Sequence, residues 1–118
     1  MSVFYKLHGA GNDFIFFTEG PTSPQLVQKL CDRHRGIGAD GVAWLKHDGG
    51  ELFSWDFFNS DGSSAEMCGN AARCAMRLIE KVYQRKEMKL KTLAGWVLGQ
   101  VDGQDVRVSL NIDASTVK

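Results

Sequence analysis

One segment near the middle of the sequence constrains the fold more than any other. Between Asn70 and Tyr83, apolar residues recur with the period of a helix, at Ala71, Ala72, Cys74, Ala75, Leu78, Ile79 and Val82. Because this is the most apolar element of the chain, most of its surface needs cover from other elements. We therefore predict a helix here, with a sheet wrapped around it.

Strand-like segments lie on both sides of this helix, and glycine-containing turns separate several of them, as is typical of hairpins. A shorter helix is expected to begin at Ser23, whose side chain can cap it, and to end near Asp32 to His34. The predicted strands are Val3–His8, Phe14–Thr18, Val42–Lys46, Leu52–Phe58, Met88–Leu93, Trp96–Val101 and Val106–Leu110.

Length and charge exclude several kinds of protein. The chain has 118 residues, which suffices for one domain with its own core but not for two. Its 14 basic and 14 acidic residues balance, and the basic ones are scattered, which argues against binding to nucleic acid or to an anionic membrane. No apolar stretch reaches the roughly 18 residues of a membrane helix, and the first residues lack the apolar core of a secretory signal. Three cysteines, an odd number, then favour a reducing, cytoplasmic location.

Two common ligand motifs fit the sequence poorly. Residues 36–41 match the glycine spacing of a dinucleotide-binding loop, but such a loop follows a strand and precedes a helix, and here that order is reversed. The cysteines and histidines form no C-x-x-C or H-E-x-x-H pattern, and five residues separate Cys68 from Cys74, which is outside the usual zinc spacing. We therefore predict no metal site, and we expect Arg33, His34 and Arg35 to form a solvated polar cluster at a helix end.

The three cysteines differ in their surroundings. Cys31 and Cys74 share apolar helix faces and are predicted to be small buried hydrophobes. Cys68 instead follows a polar loop at the start of the central helix, where the macrodipole and free backbone N–H groups favour a thiolate and could hold a carboxylate. The alternative is that Cys68 merely fills the start of a buried helix, and that Asn12 and Asn59 only form turns. Six residues of helix rotate Cys74 by about 600°, onto a different face from Cys68.

Three segments of the chain, in this order, together resemble the diaminopimelate epimerase family. They are Lys6–Phe14, Cys31–Gly41 and Asn59–Cys74, the last containing Met-Cys-Gly-Asn at residues 67–70. The resemblance covers essentially the whole chain, but only the first of the family's two similar domains. It implies an α+β fold in which a mostly antiparallel sheet curls around the Asn70–Tyr83 helix.

The resemblance also implies a reaction that needs no cofactor. Members of the family interconvert LL- and meso-diaminopimelate on the route to lysine and peptidoglycan. One cysteine thiolate removes the α-proton, and a second cysteine, from the other domain, donates a proton to the opposite face. Cys68 matches the first cysteine, Gly69 and Asn70 match residues that hold the α-carboxyl group, and Asn12 and Asn59 match substrate contacts.

The second catalytic cysteine of the family has no counterpart among residues 1–118, which form one domain equivalent to the N-terminal half of such an enzyme. Three hypotheses follow. The chain acts with a C-terminal epimerase half, it is a catalytically inactive binding or interaction domain, or two copies pair as a homodimer so that each supplies Cys68.

Overall fold

A computed structural model of the protein describes residues 3–66 and 68–111. That part of the chain forms seven strands and two helices. The short helix follows the second strand and is preceded by a 3₁₀ turn (Pro24–Leu26), and the long helix follows the fourth strand. The elements are β1 (Phe4–Gly9), β2 (Asn12–Phe17), α1 (Val27–Cys31), β3 (Gly41–Gly49), β4 (Leu52–Asn59), α2 (Gly69–Tyr83), β5 (Glu87–Thr92), β6 (Gly95–Asp102) and β7 (Asp105–Asn111).

All seven strands belong to one sheet, in which each strand pairs with its neighbours in sequence. Four of the six pairings are antiparallel, and the two parallel ones, β2 with β3 and β4 with β5, are those whose connections contain α1 and α2. The α+β class and the mostly antiparallel sheet are therefore confirmed. No helix among the described residues is both long enough and apolar enough to cross a membrane.

The main core lies between α2 and one face of the sheet. The helix buries seven side chains, and strand residues such as Phe16, Phe53 and Leu90 pack against them. Val82 departs from the prediction, because it is 38% exposed. The predicted wrapping of a sheet around the central helix is otherwise confirmed.

A second, smaller core lies on the opposite face of the sheet, beneath α1. Successive strand residues point to opposite faces, so Phe14 and Phe16 face α2 while Ile15 and Phe17 join Val27 of α1. Strand β2 is consequently buried on both faces, and this explains its nearly continuous apolar sequence.

The first helix is shorter than predicted. Ser23 does not cap it, because the Ser23 hydroxyl donates a hydrogen bond to the Pro21 carbonyl instead. The α-helical part ends at Cys31, where the Asp32 carboxylate accepts hydrogen bonds from the backbone N–H groups of His34 and Arg35 and turns the chain away. A local carboxylate-to-backbone contact thus ends the helix before the predicted Asp32 to His34 boundary.

Gly36 lies where this turn passes close to α1. A Cβ atom on Gly36 would collide with the backbone carbonyl oxygen of Lys29, which cannot move without disturbing the helix. We expect Gly36→Ala to lower the free energy of unfolding by about 1–3 kcal/mol, as overpacking does in cores. Gly69→Ala is the matched control, because a Cβ there meets nothing within 4 Å and alanine favours a helix. Urea unfolding of the two variants should therefore differ, and equal midpoints would contradict the close approach.

Candidate active site

Three predicted site residues, Asn12, Asn59 and Asn70, lie at one edge of the sheet. Asn12 begins β2 and Asn59 ends β4. Between these strands, Gly41 at the start of β3 pairs with Asn59 on one side and with Phe14 on the other. Because β2 and β3 are parallel and β4 is antiparallel to both, the start of β2 and the end of β4 meet at the same edge. The asparagine of α2, Asn70, reaches this edge as well, since its Nδ2 donates to Asn12 Oδ1 at 2.8 Å.

The first turn of α2 brings backbone N–H donors to the site. Cys68 is its N-cap residue, in an extended conformation with φ −133° and ψ 122°, and its carbonyl accepts the first helical hydrogen bond, from Ala72 N at 2.8 Å. Among the described residues, no acceptor bonds to the N–H groups of Gly69, Asn70 or Ala71. Such a helix start, carrying the positive end of the macrodipole, suits a carboxylate.

The space over this turn is open. A Cβ at Gly69 would meet no described atom within 4 Å, and Cys68 is only partly buried. Gly9 of β1 lies against the other side of the same turn, where a Cβ would come within 3.1 Å of Cys74 Sγ and 3.4 Å of the Asn70 carbonyl oxygen. The glycine therefore lets the β1–β2 hairpin approach the helix closely enough for Asn12 to reach Asn70.

Asn12 is also tied to residues that the sequence analysis did not select. Its Nδ2 donates to Asp40 Oδ2 at 3.2 Å, and the same carboxylate oxygen accepts the backbone N–H of Asp13 at 3.0 Å. The backbone N–H of Asp40 in turn donates to the Asp13 carbonyl at 2.8 Å. The loop before β3 is thereby fixed against the start of β2.

Arg33 holds the two carboxylates together. Its guanidinium donates to both oxygens of Asp13, at 2.8 and 3.0 Å, and to Asp40 Oδ1 at 3.2 Å. Lys6 Nζ lies 3.3 Å from Asp13 Oδ2. The hydrogen bonds from Arg33 keep the pKa of Asp13 well below its ordinary value, against the opposing effect of burial.

Arg33, His34 and Arg35 are all exposed after the end of α1, as predicted, but Arg33 also binds the carboxylates of Asp13 and Asp40, which the sequence analysis did not predict. A signal for this contact was present in the sequence. Asp13, Ile15 and Phe17 alternate along β2 and face the same buried side, and a buried carboxylate needs a cationic or hydrogen-bonded partner. What the sequence did not indicate was which of the chain's arginines supplies it.

Asn59 stands apart from this hydrogen-bonded group. Its backbone N–H bonds to the Ser63 carbonyl at 2.8 Å and its Nδ2 to Ser63 Oγ at 3.1 Å, while Asp61 accepts from Ser63. Within the described residues, no hydrogen bond links Asn59 to Asn12 or Asn70. The structure thus brings Asn12 and Asn70 into contact beside Cys68 and Gly69, and leaves Asn59 in its own turn at the same edge.

The other two thiols are buried, as predicted. Burial raises the pKa of Cys31 to about 11, and nearby Asp40 adds to the effect. Burial also raises the pKa of Cys74 to about 11, with a smaller contribution from Cys68. Neither thiol is suited to proton transfer near neutral pH, which leaves Cys68 as the partly exposed one.

An open cavity lies farther along α2. It has a volume of about 590 Å³ and is bordered by β1, by the middle of α2 and by the start of β7, with Cys74 but not Cys68 in its lining. Arg73 and Arg77 donate to backbone carbonyls at its rim, namely those of Val106, Gly103 and Gln104. These arginines hold α2 against the β6–β7 turn and the start of β7, and none of the predicted site residues lines this cavity.

Comparison with known sequences points to one family. The family model described as diaminopimelate epimerase matches residues 4–117. A diaminopimelate epimerase of Aquifex aeolicus is 40% identical over 124 aligned positions that cover 91% of this chain and 44% of the relative. One of Synechocystis is 45% identical, with coverage of 86% and 40%. The chain spans less than half the length of these curated relatives.

Solved structures support the fold. A phenazine biosynthesis protein of the PhzF family from Enterococcus faecalis superposes with a TM-score of 0.70 at 12% identity, over 87% of this chain and 41% of that one. A predicted epimerase from Pseudomonas aeruginosa gives 0.69 at 12%, over 92% and 42%. At such low identity these likenesses show the shared architecture alone.

The difference in burial among the cysteines predicts selective alkylation. At about pH 8, iodoacetamide should modify Cys68 rapidly and leave Cys31 and Cys74 unmodified until the protein unfolds, because thiols with a raised pKa carry little thiolate. Intact-mass measurements over time should show a single fast addition, and Cys68→Ser should abolish it. Two fast additions to the native chain would contradict the burial of the other thiols.

The lowered pKa of Asp13 should make the stability of the fold sensitive to acid. Its pKa lies below the ordinary value of 3.8 in the folded protein, so its ionised form stabilises the fold above about pH 4, and this contribution is lost as the pH falls further. Compared with the native chain, Asp13→Asn should be less stable at about pH 6 and should lose less stability between about pH 6 and pH 3. Urea unfolding across that range measures both differences, and parallel curves would exclude the assignment.

Proposed function

Because the chain belongs to the diaminopimelate epimerase family, we propose that it forms the Cys68-bearing part of an enzyme that interconverts LL- and meso-diaminopimelate without a cofactor. The observation that carries this proposal is the first turn of α2, where a partly exposed thiol lies beside three N–H groups without an acceptor among the described residues. A carboxylate and a base are thus accommodated at adjacent positions.

The proposed step is proton abstraction at the α-carbon. The Cys68 thiolate forms an S–H bond as the α C–H bond breaks, and the electron pair of that bond moves into the α-carboxyl group. The resulting enediolate-like charge needs hydrogen-bond donors already in place, because no cofactor delocalises it. The N–H groups of Gly69 and Asn70 at the helix start would supply them, and the helix dipole adds to the effect.

We assign substrate-binding roles to four residues. Gly69 and Asn70 would hold the α-carboxyl group, while Asn12 and Asn59 would contact the rest of the substrate. The contact between Asn12 and Asn70 supports a common site for these two. Asn59 lies at the same sheet edge, and its role depends on how far a ligand extends along that edge.

Inversion needs a second acid on the opposite face of the α-carbon, because a single base tends to return the proton to the face that it left. Cys31 and Cys74 are unsuited, since both are buried and their pKa values are raised to about 11. We therefore propose that the second thiol comes from another domain, the C-terminal epimerase half of the family, or from a second copy of this chain. In the cytoplasm, where we place the protein, such thiols would remain reduced.

A second candidate function follows from the same observation. With one accessible thiol, the chain by itself could bind a diaminopimelate-like ligand without exchanging its α-proton. If the chain is such an inactive binding domain, it should bind the ligand without isotope exchange. Turnover by the purified 118-residue chain would exclude this function.

The decisive experiment joins this chain to the C-terminal half of a relative. We would replace the corresponding part of the Synechocystis relative with residues 1–118 and measure α-proton exchange of diaminopimelate in deuterated water. The chimera should exchange the proton, and Cys68→Ala should reduce the rate by about 10²–10⁴-fold, the usual contribution of a positioned acid or base. Cys31→Ala, which alters a buried thiol outside the site, is the control. Unchanged exchange in the Cys68→Ala chimera would overturn the role of this residue.

A further inference from the structure

The two asparagines at the site are joined to a charged cluster that the proposed function does not use. From this connection we propose that Arg33 is a positioning residue: through Asp40 it sets the direction of the side-chain amides of Asn12 and Asn70. The inference rests on the proposed function for its consequence in catalysis, but its structural content can be tested without substrate.

The direction of the Asn12 amide follows from the chemistry of its partner. A side-chain amide has a donor side and an acceptor side of nearly the same shape, so its environment decides which way it points. Asp40 in its ionised form only accepts hydrogen bonds, so the side of Asn12 that faces Asp40 Oδ2 must be the NH₂ group. The Asn12 carbonyl oxygen is thereby turned toward Asn70.

The same argument then fixes Asn70. Because Asn12 presents an oxygen, Asn70 must offer its own NH₂ group, and the 2.8 Å contact between Asn70 Nδ2 and Asn12 Oδ1 is that hydrogen bond. Asn70 Oδ1 is left pointing away from Asn12, as an acceptor at the start of α2. The negative charge of Asp40 thus determines, through two successive hydrogen bonds, which side-chain atom Asn70 presents to the site.

Arg33 keeps that charge in place. Asp13 and Asp40 are two carboxylates on adjacent backbone segments, and the guanidinium lies between them with hydrogen bonds to both. Without it, Asp40 would lose the cation to which it is paired, since Lys6 contacts Asp13. A carboxylate that rotates away from Asn12 no longer imposes a direction on its amide.

Loss of the guanidinium should lower stability without unfolding the chain. The Arg33–Asp40 pair contributes little, because its side chains are 53% and 40% exposed. The Arg33–Asp13 pair contributes more, since the Asp13 side chain is only 11% exposed, but Lys6 stays beside Asp13 when Arg33 is replaced. A variant lacking the guanidinium should therefore remain folded. This separates a positioning role from a merely structural one.

The test uses nitrogen-15 NMR of the whole 118-residue chain. The bonded side-chain NH₂ protons of Asn12 and Asn70 should exchange slowly with water, and Arg33→Met should accelerate both by about three- to tenfold, the equivalent of one hydrogen bond. Arg33→Lys, which retains the charge but not the planar guanidinium that binds both carboxylates, should give an intermediate rate. Arg35→Met, the same substitution two residues away, is the control and should change neither rate.

Asp40→Asn tests whether the Asp40 carboxylate orients Asn70 through Asn12. Asparagine at this position can present either an oxygen or an NH₂ group to Asn12, so the Asn70 side-chain protons should exchange faster although Arg33 still binds Asp13. If the Asn70 rate is unchanged in both Asp40→Asn and Arg33→Met, the positioning role is wrong.

The epimerase chimera adds a catalytic readout. Arg33→Met should raise the KM for diaminopimelate by about three- to tenfold and Arg33→Lys by less, because the amides contact substrate and Cys68 is unaltered. If no chimera exchanges the α-proton while the NMR rates respond as expected, the proposed function fails and the positioning role of Arg33 stands. If exchange proceeds but neither KM nor the NMR rates depend on Arg33, the positioning role alone fails.

Discussion

The burial of α2 is the constraint on which the rest of the structure depends. Its alanine-rich face lets strands approach closely, and seven of its side chains are withdrawn from water among strand residues such as Phe16 and Leu90. A flat sheet cannot surround a helix, so the sheet curls, and both of its outermost strands, β1 and β7, pack beside the helix. Apolar contact is not directional, and this packing alone would leave the helix free to slide.

Polar contacts fix where the helix begins relative to the sheet. Gly9 allows β1 to touch the first turns of α2, and the Asn12–Asn70 hydrogen bond joins that turn to the start of β2. Farther along the helix, Arg73 and Arg77 bind backbone carbonyls at the start of β7 and in the β6–β7 turn. The N-terminus of α2 is therefore held at the sheet edge where β2 and β3 begin, and the backbone N–H groups of its first turn lie beside Cys68.

The sequence was informative wherever a local pattern determined the structure. Helical periodicity located α2 to within one residue, and glycine turns located the hairpins, because both depend on neighbours along the chain. The same local reasoning failed for the first helix, where Ser23 had the right chemistry for a cap but found a nearer acceptor in Pro21. It also did not predict the partner of Arg33, because Asp13 lies 20 residues earlier, a separation that no local pattern encodes.

The sequence by itself therefore determined the helix, the strands, the distinction between Cys68 and the two buried thiols, and the family. Only the tertiary structure decided that segments around residues 12, 33, 40 and 70 meet, and that a charge at Asp40 sets the direction of two amides. The physical reason is that periodicity and caps are short-range properties, whereas hydrogen bonds between distant segments form only after the sheet has curled around α2. The polarity of the candidate site is consequently a property of the fold as a whole.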